Sequence, residues 1–297
     1  MAKLTNMFWG AMPHALYRHF KVDQPERLRL RQEAERLKHP LELSARNVEF
    51  RHRHQGQRCF ILCNGPSVKR QDITVLKGEH VFSVSSGYHH PDYSTLSPIY
   101  HLVPQLTYGL LTREDAINWF REMDGRLGRA TLFLNYTEEA LVRDSGLFRG
   151  RDIRYVTLAG TFQDYDPLAL PDISKRIPGV QSVAIMCLMA AMYMGFTEIY
   201  LLGTDHDHFR TGEYNYFYEP TLLRGKDPST DTKGNIVGSL YDELSALKVL
   251  WEQYRWIKRV AGLHGIRIFN ASAGGALDEF PRIDLTAAAA SGRPGTV

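Results

Sequence analysis

The stretch CFILCNGPS at residues 59–67 joins a short apolar strand directly to a polar turn. In that turn, Gly65 lets another backbone approach closely, Pro66 fixes one backbone dihedral, and Ser67 can cap a helix or hydrogen-bond an anion. Helix starts attract anions because their first backbone N–H groups lack partners within the helix. The sequence therefore predicts that Asn64 and the three residues after it bind a phosphate, although an ordinary strand-to-helix turn fits the same residues. The turn is neither a Walker loop nor a three-glycine dinucleotide motif.

Around this stretch, apolar strand-like runs alternate with helical patterns, which is typical of a mostly parallel sheet with helices on both faces. The strand-like runs lie at 58–62, 73–76, 81–84, 99–102, 131–134, 154–158, 197–202 and 267–270, and the helical patterns at 112–127, 183–194 and 242–263. The helix at 183–194 is apolar nearly all round, with Ser182 as its expected N-cap and Gly195 as the residue that ends it. The sequence thus predicts an α/β fold with this helix deep in the domain.

We divide the chain into a helical arm at 1–56, a main α/β domain at 57–286 and a flexible tail at 287–297. The arm is the basic part of the chain, and residues 7–20 carry an apolar and aromatic stripe. Such a helix packs on the domain or on a second subunit, or it lies on a membrane surface, and both interpretations stay open. Residues 206–237 have no steady periodicity, which predicts a functional lid or a disordered loop.

The composition excludes several classes of protein. A formal charge of +3 and a pI near 8.7 are too mild to indicate nucleic-acid binding, and no aromatic-plus-basic motif accompanies them. No apolar stretch reaches the roughly 18 residues of a membrane span, and no signal peptide is visible. The three cysteines, Cys59, Cys63 and Cys187, lie in apolar runs without zinc-like spacing, which indicates reduced residues of a cytoplasmic protein.

A second polar cluster, Asp205-His206-Asp207-His208, follows the strand-like run at 197–202. In an open α/β sheet, ligands bind beyond the carboxyl ends of the strands, so we expect this cluster and the turn after the first strand to form one site. Asp205 and Asp207 have the Asp-x-Asp spacing that can hold Mg²⁺ or Mn²⁺ against a diphosphate. Alternatively, Asp205 accepts hydrogen bonds from a base or ribose, and His206 or His208 deprotonates an acceptor hydroxyl.

The predicted lid also contains tyrosines that could bind a substrate. Tyr214, Tyr216 and Tyr218 alternate, so in an extended segment they share one face. A phenol binds a phosphate without adding a charge, and a closing lid excludes water from an activated donor. The alternative is that this face packs against the domain. His89, His90 and His101, near the ends of earlier strands, could add to the site, but we expect a structural role for each.

Three segments carry a resemblance when they are taken together: the turn at 62–67, the capped helix around 182–195, and the strand EIYLLGTD at 198–205. In combination they resemble the metal-independent bacterial sialyltransferases with a single Rossmann-like domain. They equally resemble a wider group of uncharacterised and pterin-pyrophosphokinase-like proteins. Residues 270–281 also resemble the corresponding segment of that wider group. The resemblance covers about residues 57–285 and implies a Rossmann-like fold.

That similarity implies roles for particular residues in binding a CMP-sugar donor. Asn64, Gly65 and Ser67 would contact its phosphate and ribose, and Ser182 would meet a phosphate or the sugar carboxylate. Asp205 would lie near the cytosine.

The similarity also implies that Tyr214 or Tyr216 acts as a lid tyrosine on the leaving phosphate. The chain departs from the sialyltransferases at other positions. Ser85 and Val103 stand where that family carries asparagines after its second and third strands, and the position of its catalytic histidine falls near Val237. Either the base has moved into the second polar cluster, or the protein does different chemistry.

The sequence therefore predicts a glycosyltransferase of bacterial lipopolysaccharide or capsule synthesis, which moves a sugar from a nucleotide-sugar donor to a carbohydrate or lipid-linked acceptor. The catalytic candidates are His206, Asp207 and His208. The substrate-binding candidates are Asn64, Gly65, Pro66, Ser67, Ser85, Ser182, Asp205, Tyr214 and Tyr216. An Mg-ATP-dependent diphosphokinase of the hydroxymethylpterin type and a non-catalytic nucleotide-binding protein are the alternatives. We expect a cytoplasmic protein that contacts the inner membrane through residues 1–58 if the arm binds lipid. A homo-oligomer is compatible with the sequence, and a nucleic-acid partner is not expected.

Overall fold

The structure, a computed structural model, describes residues 24–106, 112–211, 215–219 and 239–291. The chain divides into two units, residues 1–42 and 43–297. The described part of the first unit is helical and belongs to α1 (Gln24–Ala45). The apolar stripe predicted at 7–20 lies outside the described residues, so membrane contact by the arm stays a prediction. None of the described helices is both long enough and apolar enough to cross a membrane.

The described residues of the second unit form an eight-stranded sheet in which neighbouring strands are parallel. The strands are β1 (Arg58–Leu62), β2 (Val81–Val84), β3 (Tyr100–Val103), β4 (Thr131–Asn135), β5 (Ile153–Leu158), β6 (Arg176–Ile177), β7 (Glu198–Leu202) and β8 (Arg267–Asn270). Their spatial order is β6-β5-β4-β3-β2-β1-β7-β8. The predicted Rossmann-like α/β fold is confirmed.

The order of the strands reverses at β1. From β1 the chain adds β2 to β6 one after another on one side, and it then returns to place β7 and β8 on the other side. Phe60 of β1 is therefore paired with both Val81 of β2 and Tyr200 of β7. In open parallel sheets, ligands bind at the carboxyl edge where the strand order reverses. The loops after β1 and β7 flank that switch point.

Helices pack against the sheet. Those of the second unit are α2 (Tyr93–Leu96), α3 (Arg113–Asp124), α4 (Glu139–Ser145), α5 (Val183–Tyr193), α6 (His208–Thr211), α7 (Leu240–Leu263) and α8 (Leu285–Ala290). Because α5 and α7 each connect parallel strands, both begin at the carboxyl edge of the sheet and run back towards the opposite edge.

The helix α5 lies between the central strands and α7, as its uniformly apolar sequence predicts. Its start is capped by Ser182, whose hydroxyl oxygen accepts a hydrogen bond from the backbone N–H of Ala184 at 3.3 Å. Its end is followed by Gly195 at a φ of +90°, where a Cβ would lie 2.9 Å from the side-chain oxygen of Gln55. Both predicted ends of this helix are confirmed.

One expectation about local structure is wrong. Residues Ile73–Leu76, predicted as a strand, form a 3₁₀ helix, because the Asp72 carboxylate accepts from the backbone N–H of Thr74 and closes a turn. The first residues of the tail at 287–297 belong to the helix α8, and the residues after 291 lie outside the described residues, so flexibility of the tail stays a prediction. Asp284 caps this helix, and small alanine side chains are buried in its second half.

Candidate functional site

The loops that follow β1 and β7 are in direct contact at the switch point. The backbone N–H of Gly65 donates to the carbonyl oxygen of Gly203 at 2.9 Å. Gly65 has an ordinary φ of −62°, but a Cβ there would lie 2.5 Å from that carbonyl oxygen and 2.6 Å from a carboxylate oxygen of Asp205. Glycine is therefore required here for close approach and not for an unusual backbone conformation. The two segments are thus in contact, as expected, and their forming one ligand site stays a prediction.

Asp205 is buried, with 4% of its surface exposed, and both of its carboxylate oxygens accept hydrogen bonds from Ser67. The backbone N–H of Ser67 donates to Oδ2 at 2.7 Å, and its hydroxyl donates to Oδ1. Burial raises the pKa of Asp205, and the hydrogen bonds from Ser67 act against this. The sequence predicts ligand contacts for both residues, and in the structure they are joined to each other. Ser67 lies in the first turn of the 3₁₀ helix Pro66–Arg70, so the anion at the start of this helix is a side chain of the protein itself.

The second carboxylate of the Asp-x-Asp spacing, that of Asp207, belongs to a half-buried residue. A metal ion at Asp205 would compete with the hydrogen bonds from Ser67 for the same oxygens. Among the residues that the structure describes, no three His, Cys, Asp or Glu side chains are grouped so as to hold a metal ion. Binding of Mg²⁺ or Mn²⁺ through this pair stays a prediction.

Asn64, which follows β1, has a side-chain oxygen, Oδ1, that accepts no hydrogen bond from the described residues. Its side chain is buried, and Nδ2 donates to the carbonyl oxygen of Val84 over a long 3.4 Å. Its Oδ1 is buried without a hydrogen-bond partner among the described residues. A buried acceptor of this kind costs stability unless a ligand or a water molecule donates to it. Asn64 thus offers an acceptor at the switch point.

Within the predicted lid, the described residues 215–219 contact the loop after β1. The backbone N–H of Phe217 donates to the carbonyl oxygen of Asn64 at 3.1 Å, and the ring of Phe217 is buried. The rings of Tyr216 and Tyr218 stack with centroids 5.3 Å apart, so these two side chains share one face, as their alternation predicts. Tyr214 lies outside the described residues, and its role stays a prediction.

The turn after β2 is held by a buried histidine. Ser85 has a left-handed φ of +46°. His101 Nε2 donates to the carbonyl oxygen of Ser85 at 2.9 Å, and its Nδ1 accepts from the Ser83 hydroxyl at 2.7 Å. Burial lowers the pKa of His101 to about 3, so the ring is neutral. The structural role expected for His101 is confirmed, while a ligand contact by Ser85 stays a prediction.

The two histidines of the second polar cluster have different surroundings. His206 Nε2 is hydrogen-bonded to the hydroxyl of Tyr254 on α7 at 2.9 Å, and burial together with the nearby His208 lowers the pKa of His206 to about 4. His208 Nε2 is hydrogen-bonded to Oε1 of Glu243, in the first turn of α7. Sequence reasoning missed Glu243, because it lies 35 residues from its partner and has no motif around it.

The start of α5 is also held by a side chain that sequence reasoning missed. Gln253 of α7 is buried, accepts from the backbone N–H of Gln181 at 2.8 Å, and donates to the carbonyl oxygen of Gly179 at 3.2 Å. These bonds fix the segment that leads into Ser182. The Ser182 hydroxyl oxygen caps the helix, and its contact with a ligand stays a prediction.

The loop after β8 also contacts Asp205, as the loop after β1 does. The backbone N–H of Ala276 donates to the carbonyl oxygen of Asp205 at 2.6 Å. Gly275 has a φ of +87°, and a Cβ there would lie 2.4 Å from the Cα of Asp205. Arg282 donates to four carbonyl groups of this loop, including that of Ser272. In the sequence, the adjacent Gly274 and Gly275 are compatible with a close approach of backbones, but only the tertiary contact shows that Asp205 is the residue approached.

Comparisons with known proteins give a distant likeness in structure alone. No protein-family profile and no curated protein sequence matches the chain. A variant of the sialyltransferase CstII in complex with CMP is 15% identical, with a TM-score of 0.43 over 77% of this chain and 86% of that one. CstII from Campylobacter jejuni in complex with the substrate analogue CMP-3FNeuAc is also 15% identical, with a TM-score of 0.40 over 76% of this chain and 85% of that one.

Proposed function

We propose that the protein is a glycosyltransferase that moves a sugar from a nucleotide-sugar donor, with a CMP-sugar favoured, to a hydroxyl group of a carbohydrate acceptor. The observation that carries this proposal is the meeting of the loops after β1 and β7 at the switch point of a parallel sheet. Such crevices are the usual place for nucleotides in open α/β folds.

The unused Oδ1 of Asn64 supports binding of a ligand that can donate a hydrogen bond, such as a ribose hydroxyl or the amino group of a base. Ser67 is committed to Asp205, so we assign to this pair the task of holding the loop after β1 in place for the donor. We assign the stacked Tyr216 and Tyr218 to the predicted lid, which would cover the donor and exclude water.

His208 is the base that the contacts favour within the second polar cluster, because His206 is tied to Tyr254 and has a strongly lowered pKa. In the proposed reaction, His208 takes the proton from the acceptor hydroxyl. The acceptor oxygen forms a bond to the anomeric carbon of the sugar, and the bond from that carbon to the phosphate oxygen breaks. The nucleotide leaves with the electron pair of that bond.

A ligand-binding series tests the nucleotide site. Thermal unfolding of the full chain is followed with CMP, CDP, UDP, GDP and ATP, each with and without Mg²⁺. We expect CMP to raise the unfolding temperature without metal, since a ligand at 100 times its Kd stabilises by about 2.7 kcal/mol. Stabilisation by Mg-ATP alone would replace the proposal with a diphosphokinase, and no response to any nucleotide would overturn it.

Turnover is then tested with CMP-sugars and a panel of carbohydrate acceptors. We expect His208→Ala to lose about 10²-fold or more in kcat while it still binds CMP. Binding of CMP without transfer or hydrolysis of any nucleotide sugar would overturn the proposed enzyme activity and favour a non-catalytic nucleotide-binding protein.

A further inference from the structure

We infer that Glu243 is a positioning residue that sets the tautomer of His208, so that Nδ1 is the nitrogen that takes the proton. This inference rests on the proposed function, in which His208 is the base. It adds Glu243 to the candidate site from a different helix, α7, which starts at Leu240, 32 residues after His208.

The geometry of the pair is the first support. His208 opens α6, shortly after β7, and Glu243 lies in the first turn of α7, whose start is capped by Ser239. The side chains of His208 and Glu243 are 12% and 13% exposed, so the hydrogen bond between Nε2 and Oε1 is largely shielded from solvent. A charged pair in such surroundings interacts more strongly than one on the surface.

Hydrogen-bond chemistry assigns the proton within this pair. An ionised carboxylate can only accept, so the nitrogen that faces Glu243 must carry the hydrogen. The neutral ring then has its lone pair on Nδ1, which makes Nδ1 the basic atom. When Nδ1 takes a proton, the ring becomes a cation beside a carboxylate, and the attraction between them stabilises the protonated base.

Other charged groups also act on this ring. His206, Asp207 and Arg210 lie in its own segment, and Asp242 lies next to Glu243 on α7, where its carboxylate accepts from the Ser239 hydroxyl. His208 makes a direct hydrogen bond to Glu243. Removing that carboxylate should therefore change the ring more than removing a charge elsewhere on α7.

Glu243→Gln tests the inference in the full chain, with Glu252→Gln as the matched control because Glu252 is an exposed residue of the same helix that pairs with Lys248. The long-range ¹H–¹⁵N NMR spectrum of the histidine rings reports the tautomer of His208 without any substrate. We expect wild type and the control to carry the hydrogen on Nε2. In Glu243→Gln, we expect a mixed tautomer.

In turnover, we expect Glu243→Gln to lose at least about tenfold in kcat with little change in KM for the donor. Glu243→Asp, which keeps the carboxylate, should recover part of the rate and guards against a variant that merely folds poorly. An unchanged tautomer, or an unchanged kcat, would overturn the inference. A wild-type protein that transfers no sugar would instead overturn the proposed function, and the NMR spectrum would still decide the pairing.

Discussion

Ser67 and Asp205, 138 positions apart in the chain, are joined by two hydrogen bonds that use the backbone N–H and the hydroxyl of Ser67 and both carboxylate oxygens of Asp205. The contact links the loops after β1 and β7 where the strand order reverses. Asp205 also accepts, through its carbonyl oxygen, from the loop after β8. Three loops at the carboxyl edge of the sheet are thus held together through one buried carboxylate residue.

A double-mutant cycle should show that this pair is coupled. Asp205→Ala leaves the buried donors of Ser67 without their acceptors, and we expect it to lower the free energy of unfolding by about 1–3 kcal/mol. Ser67→Ala should lower it as well, and the double variant should lose clearly less than the sum, because the second substitution has no bond left to break. Urea unfolding measures all four proteins. Additive losses would mean that the side chains do not stabilise each other.

Gly65→Ala should be destabilising through sterics alone. The added methyl would lie 2.5 Å from the carbonyl oxygen of Gly203, so the loops after β1 and β7 must move apart, at an expected cost of about 1–3 kcal/mol. Gly262→Ala is the matched control, because a Cβ at this position in α7 meets nothing within 4 Å and alanine favours the helix. Thermal unfolding should separate the two variants in opposite directions. Equal stability of both would contradict the close approach at Gly65.

Asn64→Ala should weaken nucleotide binding more than it weakens the fold. Its Oδ1 has no partner among the described residues, so the loss in unfolding free energy should stay within about 1 kcal/mol, while the Kd for CMP should rise roughly tenfold. Asn135→Ala is the control, since this buried amide donates to Thr137 and accepts from the backbone of Leu158. Calorimetry measures the Kd for CMP and urea unfolding measures stability. For the control, we expect a larger loss of stability and little change in Kd. A stability loss at Asn64 without a change in Kd would count against its role.

The stability of the fold should fall as the pH drops below about 6.5. The folded state lowers the pKa of His101 to about 3, whereas the ring in the unfolded chain keeps its ordinary pKa near 6.5. Between these values only the unfolded chain binds the proton, so this histidine removes about 1.4 kcal/mol of stability per pH unit as the pH falls. Above pH 6.5 both states are neutral at this residue, and its contribution is complete.

Urea unfolding of wild type and His101→Phe between pH 4.5 and 7.5 checks this expectation. The variant should be less stable at neutral pH, because it loses the bonds to Ser83 and Ser85, and its stability should depend less steeply on pH. Parallel pH curves for the two proteins would show that His101 titrates normally in the folded state.

Local patterns in the sequence were enough to predict most of the elements of this fold. The apolar run before residue 64, the cap at Ser182 and the glycine at 195 each act within a few residues, so their effect can be read without knowing the rest of the structure. The prediction of a strand at 73–76 was wrong because two local signals compete in that segment. There, the turn closed by Asp72 outweighs the apolar pattern.

The sequence by itself determined that a parallel α/β sheet forms and that polar turns follow two of its strands, because hydrophobic periodicity and capping are local properties of the chain. Only the tertiary structure decided that β1 lies between β2 and β7, that the carboxylate of Asp205 faces Ser67, and that Glu243 reaches His208. These contacts depend on the order of strands in the sheet and on where helices begin above it. Such long-range packing brings together residues whose own neighbourhoods carry no sign of their partners.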